Sequence, residues 1–143
     1  MDALNKTLLV LHFLGLTMGM SVTFGNIVMK GLIDKAAPSE KAVLGRFPLA
    51  ISKVGHAGLG LLLVTGITMA YTKWNGIAAM PWTFHVKLTA VALLVLLVIY
   101  ISTLERRVRG GDMSAIARIQ AVAPFASLCA LVAVIFAVIT FAN

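Results

Sequence analysis

Residues 82–104 read WTFHVKLTAVALLVLLVIYISTL. They form an apolar run broken by one charged side chain, Lys87, close to its start. About 20 mostly apolar residues carry an α-helix across a bilayer. This run is long enough to do so, and three others resemble it. The expected spans are about Thr7–Met29, Phe47–Tyr71, Trp82–Leu104 and Ile116–Ala142. Pro48 and Pro81 stand where the second and third runs begin, and proline is tolerated in a first helical turn. Trp74 and Trp82 flank the middle connection, where amphipathic rings favour the headgroup region. The predicted fold is all-α, a single four-helix transmembrane bundle.

Composition agrees with this. The chain of 143 residues is 60% hydrophobic and 12% charged, against about 45–50% and about 25% in soluble domains. That excludes a disordered chain, a disulfide scaffold and a typical nucleic-acid-binding protein. The net charge of +7 belongs to helix ends and connections. Lys30, Lys35, Lys41, Arg46 and Lys53 surround the first connection, and Arg106, Arg107, Arg109 and Arg118 the third. Lys6, Lys73 and Lys87 lie toward the opposite side. Nine against three puts the first and third connections in the cytoplasm, with both termini on the other side. The expected location is a bacterial inner membrane. The first run is too long for a signal-peptide core, and no Ala-x-Ala site follows it. The lone cysteine, Cys129, can form neither an internal disulfide nor a cysteine-based metal site.

Asp2, Asp34, Glu40, Glu105 and Asp112 all fall outside the apolar runs, which counts against carboxylate-bridged metal centres and proton pumps. His12, His56 and His85 all fall inside them, on three different helices. Ionisable residues at such positions are costly and are functional candidates by default. At about 1.5 Å per residue, His12 and His85 lie about 27 and 30 Å from the cytoplasmic boundary, and His56 nearer mid-membrane. His12 and His85 are therefore the expected metal-ligating pair, with His56 a third candidate.

Small residues accompany these histidines. His12, Gly15, Gly19 and Asn26 share one stripe of the first helix, as do Lys53, His56 and Gly60 on the second. His85, Thr89 and Ala92 do so on the third, and Gln120, Ala123, Ser127 and Ala130 on the fourth. Gly15 and Gly19 form a GxxxG pair, which admits either a neighbouring backbone or a flat cofactor. A haem needs axial imidazoles beside small residues. Lys87, nearly opposite His85 on its helix, can snorkel to the interface or pair with a porphyrin propionate. The seven methionines raise a Cu(I) alternative, although Met18 and Met20 cannot share a helix face.

An early histidine, Thr65-Gly66, His85-Val86-Lys87-Leu88, Glu105-Arg106-Arg107, then Arg118-Ile119 with Pro124 and a terminal Phe141 occur in order. That order resembles the four-helix membrane proteins around HemJ, the oxygen-independent-type protoporphyrinogen oxidase. It is also similar to the membrane part of CopD-type copper-resistance proteins. The resemblance implies haem binding at His12 and matches Lys87 to the family's third-helix lysine, together with an oxidoreductase role. The stretch Thr23–Met29 has neither the arginine nor the histidine that HemJ carries there, which counts against the oxidase reaction itself. The expected function is b-type haem binding, with His12, His85, His56, Gly15, Gly19 and Lys87 as the site. Electrons would be exchanged with a quinone or another redox membrane protein. A cofactor-free accessory subunit of a larger membrane complex, a homo-oligomer and a copper or metal transporter remain alternatives.

Overall fold

The computed structural model describes residues 3–74 and 76–142, and among them it contains helices and connections but no strand. Asp2 and the side chains of Lys73, Trp74 and Phe141 lie outside the described residues. The elements are α1 (Ala3–Lys35), α2 (Pro38–Leu44), α3 (Phe47–Trp74), α4 (Trp82–Arg109) and α5 (Ala115–Ala142), with a 3-10 turn at Ile77–Ala79. Four of these helices are long and apolar enough to cross a membrane, so the chain is a multi-pass membrane protein in contact with lipid.

The helices outrun the apolar stretches. α1 has 33 residues and is about 50 Å long, well beyond a hydrocarbon core of about 30 Å. Lys30 and Lys35 end the apolar run without ending the helix, because the straight-chain lysine is a good helix former. α4 likewise continues past Leu104 to Arg109. Glu105, expected outside the span, is therefore helical and only 7% exposed. Arg109, one turn on, approaches it at 4.0 Å.

α2 was not foreseen from hydropathy. Pro38 occupies its first turn, and the Ala37 N–H donates to Glu40 Oε2 at 3.2 Å. Pro48 and Pro81 stand as expected, inside the first turn of α3 and immediately before α4.

The chain divides into two compact units, one ending at Ile77 and the other beginning at Ala78. In the first unit α1 packs along α3, and α2 joins α1. In the second, α4 packs along α5. Phe84, Ala90, Leu104, Ala115 and Ala133 are buried there, and the Trp82 ring meets Phe136 edge-on at 6.3 Å. The α4–α5 turn uses Gly111 at φ +99°, a conformation glycine adopts without Cβ strain. α5 runs through Pro124 without a break.

Candidate functional site around His12

α1 and α3 approach each other where both lack side chains. A Cβ on Gly58 would lie 2.8 Å from the Gly15 carbonyl oxygen, 2.8 Å from Met18 Cβ and 3.1 Å from the Gly19 nitrogen. A Cβ on Gly15 would lie 2.9 Å from the Gly58 carbonyl oxygen. The GxxxG pair of α1 therefore straddles Gly58, and Gly15 admits a backbone rather than a flat cofactor. Gly19 differs, since no atom lies within 4 Å of its Cβ position.

This close approach brings His12 against α3. Its Nδ1 is 2.8 Å from Thr65 Oγ1, and Thr65 is 2% exposed. The Thr65 hydroxyl donates to the Leu61 carbonyl at 2.6 Å. A hydroxyl has one proton, so with that proton committed Thr65 accepts from His12. The hydrogen-bond network thus assigns the proton of His12 to Nδ1, and Nε2 carries the lone pair. An imidazole held through Nδ1–H by an oxygen acceptor is the arrangement that orients a metal-ligating histidine. Gly66 completes the seat: a Cβ there would lie 3.3 Å from His12 Cε1.

Of the remaining candidates, His56 belongs to the first unit, and His85 and Lys87 to the second. His56 is exposed on α3, where its Nδ1–H donates to the Ser52 carbonyl at 2.7 Å. Thr65, the partner of His12 on α3, is nine residues from His56, about 14 Å along the axis. Lys53, His56 and Gly60 are all exposed, on a face of α3 other than the one that meets α1. The structure does not bring His12 and His56 to a common point. His85, Thr89 and Ala92 are exposed on α4, and the Thr89 hydroxyl donates to the His85 carbonyl at 3.0 Å. Within either unit, among the described residues, no three His, Cys, Asp or Glu side chains gather into a metal-binding group. Lys87 turns its Nζ over the Phe84 ring at 5.6 Å, a cation–π contact on its own helix. Between α4 and α5 lies an apolar groove of about 360 Å³ that includes Thr89 and Cys129. No imidazole or carboxylate lines it.

Several polar positions escaped the sequence reading. The sequence marks Thr65 only as half of a Thr-Gly pair. Thr72 donates to Asn5 Oδ1 at 3.0 Å and ties α3 to the start of α1. Thr65 and Thr72 are seven residues apart, two helical turns on one face, and that spacing was the available signal. Asn26, on the His12 stripe, has a buried Oδ1 without a hydrogen-bond partner. Outside the spans, the Asp112 carboxyl is held below the usual carboxylate range, first by the Ser114 hydroxyl and then by the Ser114 backbone N–H and the charges of Arg107 and Arg118.

Searches against protein-family models, curated proteins and solved structures found no match.

Proposed function

We propose that this protein binds b-type haem through His12 and serves electron transfer in the membrane, in the manner of the HemJ-like and CopD-like proteins its motif order resembles. The observation that carries this reading is the relay from His12 Nδ1–H to the Thr65 hydroxyl and on to the Leu61 carbonyl. On that tautomer Nε2 is the nitrogen that would hold the iron. The residues fit the group in part. His12 supplies the right donor, Thr65 fixes its tautomer, and Gly66 gives its ring room. Gly19 is the small residue of the stripe whose side is open, whereas Gly15 and Gly58 are taken up by helix packing. When bound, haem supplies the one-electron chemistry. The chain supplies ligation, an apolar surround and access for a quinone or redox protein from the bilayer.

The location that accompanies this reading is a bacterial inner membrane, with the α1–α3 and α4–α5 connections cytoplasmic and both termini outside. Nine basic residues against three support that orientation. A reporter active only in the cytoplasm, fused after Asn143, gives no signal if this is right and full signal if it is inverted.

The test of haem binding is an absorbance spectrum of the protein purified in detergent, with and without dithionite. A haem Soret band is expected, and His12→Ala should remove it. Thr65→Val should keep the band and shift the midpoint potential, because the tautomer-fixing acceptor is gone. His56→Ala and His85→Ala report whether either imidazole is also axial. A purified protein that incorporates no haem overturns the proposal. Bound copper would then favour metal transport, and co-purification in a larger assembly would favour an accessory subunit.

A further inference from the structure

We infer that the end of α1, α2 and the start of α3 together form a binding surface for anionic phospholipid headgroups on the membrane face to which they project. This inference is independent of haem.

The membrane register of the first unit supports it. The Thr72–Asn5 hydrogen bond puts the end of α3 level with the beginning of α1. Lys53 is 19 residues from Thr72 along α3, and Lys30 is 25 residues from Asn5 along α1. Those distances are about 29 and 38 Å, and they bracket a hydrocarbon core of about 30 Å. With the Asn5–Thr72 level at the opposite headgroup region, where the first two apolar runs begin and end, the boundary falls near Lys53 on one helix and before Lys30 on the other. Everything from Lys30 through α2 to Arg46 lies at headgroup level or beyond.

That segment is amphipathic. Lys30, Lys35, Lys41, Arg46 and Lys53 are all exposed. The acidic residues among them are Asp34 and Glu40, and the Glu40 carboxylate accepts the Ala37 N–H. Large apolar side chains stand exposed between the cations: Leu32, Phe47 and Val43, the last at 71%. These apolar side chains stand at the level of the bilayer the chain already spans, so lipid meets them without a further partner. A bilayer interface takes both, with apolar groups in the acyl boundary and basic groups on phosphates. The buried, unpartnered Asn26 Oδ1 belongs to the same end of α1, one turn before Lys30, where the hydrocarbon gives way to headgroups.

The full-length protein in dodecyl maltoside micelles, with phosphatidylglycerol or phosphatidylcholine added, tests this by thermal unfolding followed in far-UV circular dichroism. Phosphatidylglycerol is expected to raise the midpoint more than phosphatidylcholine. Lys35→Gln, Lys41→Gln and Arg46→Gln combined should raise the phosphatidylglycerol concentration needed for half the effect by about tenfold or more, given what each basic residue contributes near an anionic surface. High salt on the unmodified chain should do the same, which keeps the test decisive if the triple variant does not fold. Equal stabilisation by the two lipids overturns the inference. So does a phosphatidylglycerol effect that survives the triple substitution and high salt, or one abolished only by neutralising Arg106, Arg107 and Arg109.

Discussion

The two units solve one problem with different materials. α1 and α3 meet through absent side chains, Gly15 against Gly58 and Gly55 against Val22, and through polar bonds at His12–Thr65 and Asn5–Thr72. α4 and α5, the more apolar pair, bury the large Phe84 and Leu104 beside the small Ala90, Ala115 and Ala133, set Trp82 against Phe136, and share one polar bond, Thr140 to Thr83. Lipid is as apolar as leucine, so helices associate in membranes by packing and hydrogen bonding rather than by excluding water. Glycine contacts bring backbones close enough for a short imidazole to reach a threonine on the next helix. Bulky contacts hold the helices by shape and leave polar groups at the margins. His12, the proposed ligand, sits in the unit whose interface can position it.

This contrast makes the first unit sensitive to added volume and the second to lost volume. Leu104→Ala, at a site 2% exposed, should have the largest effect, a loss of about 2–5 kcal/mol from the cavity left behind. Gly58→Ala should cost about 1–3 kcal/mol, because its new Cβ would press on the Gly15 carbonyl and Met18. Both are read from the midpoint of SDS-induced unfolding. A Gly58→Ala protein as stable as the parent would break the comparison.

A smaller pair of changes sharpens it. Thr65→Val removes the acceptor for an imidazole N–H at a buried contact, while Thr140→Val removes one hydroxyl that lies 2.9 Å from the Thr83 hydroxyl. Interhelical hydrogen bonds in membranes contribute about 0.6 kcal/mol on average and up to about 1.7. Thr65→Val should fall at the upper end of that range and Thr140→Val near the average. Equal losses in the same SDS assay would mean that His12 gains nothing from its special seat.

The sequence made the membrane spans legible because length and hydropathy are what a bilayer demands. The same signal hid the true helix ends, since Lys30–Lys35 and Glu105–Arg109 leave the hydrocarbon while remaining helical. α2, with seven residues, is too short for periodicity, and its only marks were Pro38 and Glu40. His12 stood out as an ionisable residue at membrane depth. Its partner did not, because Thr65 is 53 residues away and no local pattern encodes which face of one helix meets another. The same gap explains the small-residue stripes. Gly15 does lie at a contact, whereas Lys53–His56–Gly60 shares its composition and lies on a face of α3 away from α1.

The smallest effect expected concerns the α4–α5 connection, which stands outside both packing schemes. Ser114 donates its hydroxyl and its backbone N–H to Asp112 Oδ1, and these bonds favour the ionised carboxylate. The folded pKa of Asp112 is therefore below its unfolded value. Such a group stabilises the fold at pH above the unfolded value, about 3.9 for aspartate, and loses that contribution as pH falls through the folded value. Ser114→Ala removes the principal cause of the shift. The parent should therefore be slightly more stable than Ser114→Ala at neutral pH, and the two unfolding midpoints should converge as pH falls below about 3.9. A difference that persists unchanged into stronger acid would assign the role of Ser114 to the start of α5 instead. The charge of Asp112 would then contribute nothing to joining α4 and α5, and packing with the Thr140–Thr83 hydrogen bond would define the second unit.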